Sequence, residues 1–330
     1  MKAIVCEDFG PIENLRYQDL DDPSPAKGQV RVKVLATGVN FPDALLVQGL
    51  YQARPERPFV PGVEFCGEVE ELGEGVKHLK VGQRLMCSSR DYGAFAEKAL
   101  VDARTVMPIP DEVSDLVAAN LMCAHGTAHH ALKQRAKLKA GEHLVVLGAA
   151  GGTGLAAVQI GKAMGAKVIA VCSSDDKLAL ARANGADELI KAAEGVDLKA
   201  QIKALTGGKG ADVVYDPVGG DAFDACTRAM ARNGRLLVIG FASGRIPELP
   251  VNLTLVKEFS VIGVFWGSFV AHEPMIFLQN MQELFAWLKE GKVGVETDEV
   301  FPLSRTADAL NKVMKRQVKG KVVVVPDGLL

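Results

Sequence analysis

Between residues 143 and 172 a run of glycines separates an apolar strand-like segment from an apolar helical one, and a second apolar strand follows. The order is His-Leu-Val-Val-Leu-Gly, then Ala-Ala-Gly-Gly-Thr-Gly, then helical composition from Leu155 to Met164, then Lys-Val-Ile-Ala-Val-Cys. Few folds accept that order other than a βαβ unit with a glycine-rich first turn. Glycines alone also mark turns that meet no ligand, so the flanking strand and helix carry the inference. Gly148, Gly151 and Gly154, with Gly152 and Thr153 between them, allow a sharp turn and close backbone approach to a pyrophosphate. The phosphates then face a helix N-terminus, where unpaired N–H donors and the dipole favour an anion. A dinucleotide cradle is expected here.

The second strand ends in Cys172, Ser173 and Ser174, where an NAD-preferring pocket usually offers a carboxylate to the ribose hydroxyls. No acid stands at that point. Two hydroxyls followed by Lys177 leave donors and positive charge for a 2′-phosphate, which favours NADPH. Ser174 serves equally well as the cap of a helix from Asp175 to Asn184, and the two roles are compatible. Asp175 and Asp176 would repel a phosphate if they faced it.

At 330 residues the chain suits two domains, and its net charge of −2 offers no basic footprint for nucleic acid. No run of about eighteen apolar residues suggests a membrane span, and the N-terminus lacks the long apolar core of a signal peptide. A cytoplasmic protein is expected. The six cysteines are scattered and never form Cys-x-x-Cys, as buried free thiols would be.

The first third shows short strands with period-two alternation, clearest over 29–36 (Gln-Val-Arg-Val-Lys-Val-Leu-Ala), and predicts a compact barrel-like β domain. A helix is expected to begin near Ser114. From Gly141 strands and helices alternate, with strand cores at 144–147, 168–171, 212–215, 236–239 and 261–265, so a parallel, doubly wound sheet is expected. The ending, Gly320-Lys-Val-Val-Val-Val-Pro, reads like the opening domain, which makes that domain discontinuous.

Taken together, residues 36–43 (Ala-Thr-Gly-Val-Asn-Phe-Pro-Asp), 49–51 (Gly-Leu-Tyr), 61–68 (Pro-Gly-Val-Glu-Phe-Cys-Gly-Glu), Gly126-Thr127, the glycine turn, Gln159 and 216–220 (Asp-Pro-Val-Gly-Gly) are a specific set. Through them nearly the whole chain resembles the medium-chain dehydrogenase/reductase superfamily, in its zinc-free NADPH:quinone oxidoreductase (ζ-crystallin-like) branch. The resemblance implies an α/β fold: a GroES-like β-barrel catalytic domain over 1–123 and 271–330, and a Rossmann NADPH-binding domain over 124–270. Zinc-dependent members hold a catalytic metal through a Cys, a His beside a Glu, and a further Cys. Here Asn40 and Val63 stand at the first two positions, Glu64 is left behind, and Cys123 occupies the last. No metal is expected.

What the resemblance then implies is zinc-independent hydride transfer from NADPH to a quinone or to the β-carbon of a conjugated enone. An enoyl-CoA thioester reductase and a non-catalytic, crystallin-like NADPH-binding protein are the alternatives. Asn40, Tyr51 and Thr127, the last expected just after a glycine at a helix start, are the implied catalytic residues. Asn40 before Phe-Pro also suits a simple turn, and Tyr51 suits a core edge with its hydroxyl in water. Gly240, Phe241, Val264 and Phe265 are implied beside the nicotinamide, although both phenylalanines equally suit a core. A tyrosine that the family often places on the adenosine side is Ala192 here. His125 has no visible orienting acid, His129 and His130 read as surface or packing residues, and Lys319 and Lys321 as phosphate-side or surface charges. An apolar strand over 260–266 is expected at a sheet edge, where pairing of Val261–Trp266 with a second copy would make a homodimer.

Overall fold

The computed structural model describes residues 1–89 and 91–330. Two compact units result, one of Met1–Cys123 with Val295–Leu330, the other of Ala124–Gly294.

The first unit is built on the long strand Gln29–Val39, whose alternating valines turn Val30, Val32 and Val34 into the core. It pairs antiparallel with Glu64–Leu72 and with Lys98–Asp102. The closing strand Lys321–Val325 pairs antiparallel with its other end, setting Val322 opposite Val39 and Val324 opposite Thr37. Thr297–Pro302 lies parallel beyond it, and Arg84–Ser88 with Met107–Pro108 extend the far side. The result is the GroES-like β unit, with the chain's last strand in the same sheet as its first long one.

A short helix, Phe41–Val47, follows Asn40, where the sequence suggested a simple turn. Asn40 is its N-cap, and the Asp43 carboxylate accepts the Asn40 backbone N–H at 2.8 Å. That bond satisfies a donor at the helix start, and Pro42 fits the first turn, where its missing N–H costs nothing.

In the second unit six strands form one parallel sheet in the order 188–191, 167–172, 143–147, 211–216, 230–238, 260–263. Leu144, Val145, Val146, Val213 and Val214 are fully buried, as strands covered on both faces require. This is the doubly wound Rossmann sheet. The strand Glu188–Lys191 went unseen in the sequence, because only Ile190 of its four residues is buried at this edge. The opposite edge is Ser260–Gly263, shorter than the expected 260–266 because Trp266 opens a helix to His272.

Residues 271–294 do not join the first unit as the sequence suggested. Their helix, Pro274–Lys289, sends Glu283 to His129 at 2.7 Å and to Lys133, and Asn280 to Gln134 at 2.8 Å, all within the second unit. Among the described residues no helix is long and apolar enough to cross a membrane.

Candidate functional site

In the second unit the candidate site is the glycine turn between the strand His143–Leu147 and the helix Gly152–Ala163. Its three spaced glycines do different work. Gly148 adopts φ +59°, which a side chain would strain. At Gly154 a Cβ would stand 2.2 Å from the Gly148 carbonyl oxygen, so only glycine lets the helix pack this close. Gly151 needs neither: its φ is −80° and a Cβ would meet that same oxygen at an ordinary 3.5 Å. The protein's own atoms leave the Gly151 face open at a helix N-terminus, as a cradle for a pyrophosphate requires. Thr153 spends its hydroxyl on Tyr215 and, at 3.4 Å, on the Ala124 carbonyl, so it offers a ligand only its backbone N–H.

Around this turn lie the carboxyl ends of neighbouring strands. Asp216, at the end of 211–216, accepts the N–H groups of Val218 and Gly219, each at 2.8 Å, and burial pushes its carboxyl up. Gly240 and Phe241 follow the strand Met230–Val238; Val264 and Phe265 follow Ser260–Gly263. Phe241 is 36 % and Phe265 57 % exposed, so neither is a core residue. Ser173 and Ser174 end the strand Lys167–Cys172. Ser174 takes the N-cap position of the helix Asp175–Ala183, yet its hydroxyl donates to the Asp176 carboxylate and makes no cap bond.

Thr127 does not start a helix. It lies half-buried inside Asp115–His130, and the glycine before it admits the Trp266 ring, whose Nε1 would be 2.8 Å from a Cβ at Gly126. His125 is buried, its Nε2 3.1 Å from both Gln159 Oε1 and the Gly294 carbonyl. His129 and His130 are buried as well, the latter stacked on Phe269 at 3.8 Å.

In the first unit the structure gathers a polar cluster inside the fold. Lys321, expected as a surface or phosphate-side charge, is 5 % exposed. Its ammonium donates to Asn40 Oδ1 at 2.6 Å and the Val39 carbonyl at 3.2 Å, and lies 3.5 Å from Glu64 Oε2. Glu64 is fully buried; it also accepts from Asn40 Nδ2 at 2.9 Å and from the Cys123 backbone N–H at 2.7 Å. The remaining Asn40 amide hydrogen is held loosely, 3.4 Å from the Gly38 carbonyl. Lys319, in contrast, is exposed.

Asp43 completes the cluster. Burial pushes its carboxyl up to about 7 against the Asn40 N–H and the Lys321 charge, which favour the anion, and with Glu64, which does not. Its Oδ1 is buried with no partner among the described residues. Burial raises the Tyr51 hydroxyl, with Tyr92, Asp43 and Cys123 adding to the shift, so this phenol keeps its proton at neutral pH. Sequence reasoning named Asn40 and Tyr51 as candidates, noted Glu64 only as a remnant of the metal set, took Lys321 for a phosphate-side or surface charge, and did not single out Asp43. The signal for Lys321 was a lone charge opening a strand of four valines.

The donor set does not suit zinc. An amide whose oxygen already accepts from an ammonium and a valine replace two ligands, and burial together with Glu64 holds the Cys123 thiol protonated. Among the described residues no three His, Cys, Asp or Glu side chains are grouped to hold a metal ion.

Two family patterns match the chain: the alcohol dehydrogenase GroES-like domain over residues 26–111, and the zinc-binding dehydrogenase domain over 152–289. A quinone oxidoreductase-like protein 2 homolog from Nematostella vectensis is 37 % identical over 325 residues, 98 % of this chain and 86 % of its own length. A mycobacterial protein solved with NADPH superposes with a TM-score of 0.93 at 32 % identity, covering 99 % of this chain and 100 % of the other. Escherichia coli quinone oxidoreductase, also solved with NADPH, gives 0.91 at 27 % identity over 99 % of this chain and 100 % of its own. The chain therefore belongs to the medium-chain dehydrogenase/reductase superfamily and, within it, to the quinone oxidoreductase-like branch of these oxidoreductases.

Proposed function

We propose that this protein is an NADPH-dependent reductase that delivers hydride to an electron-poor acceptor, a quinone or the β-carbon of a conjugated enone. The observation that carries this reading is the side-chain-free face of Gly151 at a helix N-terminus, followed one strand later by two serines and Lys177 where an NAD pocket would carry an acid. Bound there, NADPH supplies the hydride.

The remaining work belongs to the protein. Backbone N–H groups of Gly151, Gly152, Thr153 and Gly154 bind the pyrophosphate, and Ser173 and Lys177 the 2′-phosphate, with Ser174 contributing its backbone N–H because its hydroxyl is held by Asp176. Gly240, Phe241, Val264 and Phe265 shape the nicotinamide end, with Thr127 beside it. Asn40, fixed by Lys321 and Glu64, keeps one loosely held amide hydrogen for the acceptor. Tyr51 holds its proton and can give it to a reduced carbonyl oxygen. Quinones and enones need less electrophilic help than a simple alcohol needs for ionisation, which suits a site whose donors do not assemble a metal centre.

An enoyl-CoA thioester calls for a basic groove. One open groove of the first unit sets Arg54 and Arg57 among Glu7, Asp8 and Glu56, and Arg57 is already paired with Asp8 at 2.8 Å. That groove does not supply one. The exposed edge strand Ser260–Gly263 supports a homodimer that extends the parallel sheet across a two-fold axis.

The test is NADPH oxidation against quinones, 2-alkenals and enoyl-CoA thioesters, with NADH in parallel. Turnover on quinones or alkenals with a preference for NADPH is expected. Tight NADPH binding with no turnover on any acceptor would leave a binding protein instead.

A further inference from the structure

The two acids that open the helix Asp175–Ala183 directly follow the serine pair proposed for the 2′-phosphate, and as bare carboxylates facing it they would repel it. Neither is bare. Asp176 accepts from Ser174 Oγ, and Asp175 Oδ2 lies 2.6 Å from the ammonium of Lys191. Lys191 comes from a different element, the edge strand Glu188–Lys191, and it is paired in register with Cys172, the last residue of the strand that leads to Ser173 and Ser174. Both strands are parallel, so Lys191 ends its strand at the carboxyl edge of the sheet, the edge at which such folds bind nucleotides.

We infer that Lys191 is a specificity-determining residue for the 2′-phosphate. The inference rests on NADPH being the cofactor and adds to it a residue that the glycine turn and the serine pair do not include. The Lys191–Asp175 pair is well exposed, with 47 % and 80 % of the two side chains open to solvent, so it contributes little to stability. Its consequence is electrostatic and local. An ammonium has three donors; one holds Asp175, and the others remain for phosphate oxygens. A single lysine thus offsets the Asp175 carboxylate and keeps donors for the phosphate oxygens, whereas NADH, with hydroxyls in place of the phosphate, gains less from it.

The experiment is calorimetric titration of Lys191→Ala and Lys191→Gln with NADPH, NADH and 2′,5′-ADP, at low and at high salt. Both variants are expected to lose about ten-fold in affinity for NADPH and for 2′,5′-ADP, with NADH changed less than about two-fold. The loss should shrink at high salt. Adding Asp175→Asn to Lys191→Ala should restore part of the affinity by removing the uncancelled carboxylate. Equal losses for NADPH and NADH, or no loss with 2′,5′-ADP, would overturn the role of Lys191 and leave the NADPH reading intact. An unaltered protein that binds NADPH no better than NADH would overturn both.

Discussion

Lys321 Nζ donates to Asn40 Oδ1 at 2.6 Å, tying the first residue of the last strand to a helix cap 281 residues earlier. The same ammonium faces the fully buried Glu64 at 3.5 Å. Breaking a buried pair from one side leaves an uncompensated charge and costs about 3–5 kcal/mol. Lys321→Met is therefore expected to lower the unfolding free energy by about 3 kcal/mol, and adding Glu64→Gln to recover most of it. Urea unfolding of the two single variants and the double variant measures this; strictly additive losses would show that the two groups do not act as a pair.

The glycine turn separates packing from binding. Gly154→Ala is expected to destabilise the fold by more than about 2 kcal/mol, because its Cβ meets backbone at 2.2 Å. Gly151→Ala meets nothing closer than 3.5 Å and should cost no more than about 1 kcal/mol as a poorer cap, yet it should abolish NADPH binding by filling the cradle. Thermal melts with parallel calorimetry decide; a Gly151→Ala protein that binds normally removes this turn from the phosphate site.

Asp43 gives stability a pH dependence of defined sign. Its carboxyl sits at about 7 in the fold against 3.8 for the free group, so between those values the native state holds a proton that the unfolded chain has released. Stability from this group is complete below the lower value, falls as pH rises through the window, and levels above the upper one. Asp43→Asn is expected to flatten that decline between pH 5 and 8 in urea midpoints. A variant whose curve parallels the parent would assign the slope to another group.

The exposed edge at Ser260–Gly263 predicts a mass of two 35.1 kDa chains by light scattering at micromolar concentration. A lysine at Ile262 should shift the population toward one chain, since edge charge blunts strand pairing. A monomeric parent protein would count against the sheet-extending dimer.

Much of the second unit was legible along the chain. The strands over 143–147, 167–172 and 211–216 announce themselves by short apolar cores, because both of their faces are covered. The edge strand Glu188–Lys191 did not, since a strand with one covered flank needs few apolar residues. Phe41–Val47 was not read as a helix because seven residues opening on Phe-Pro are too few to show helical periodicity. Thr127 was placed at a helix start because a glycine precedes it; the Trp266 ring, not a helix boundary, accounts for that glycine.

By itself the sequence determined the two fold classes and the glycine turn, because turn geometry, strand burial and helix entry are constraints between near neighbours. Which charges meet was decided only by the tertiary structure. Lys321 is buried because Asn40 and Glu64 wait for it across the sheet, Asp175 is cancelled by a lysine from another strand, and the helix Pro274–Lys289 belongs with the second unit because Glu283 and Asn280 find their partners there. A buried charge is tolerated only beside its counter-charge, and no local pattern records a counter-charge that arrives from another element of the fold.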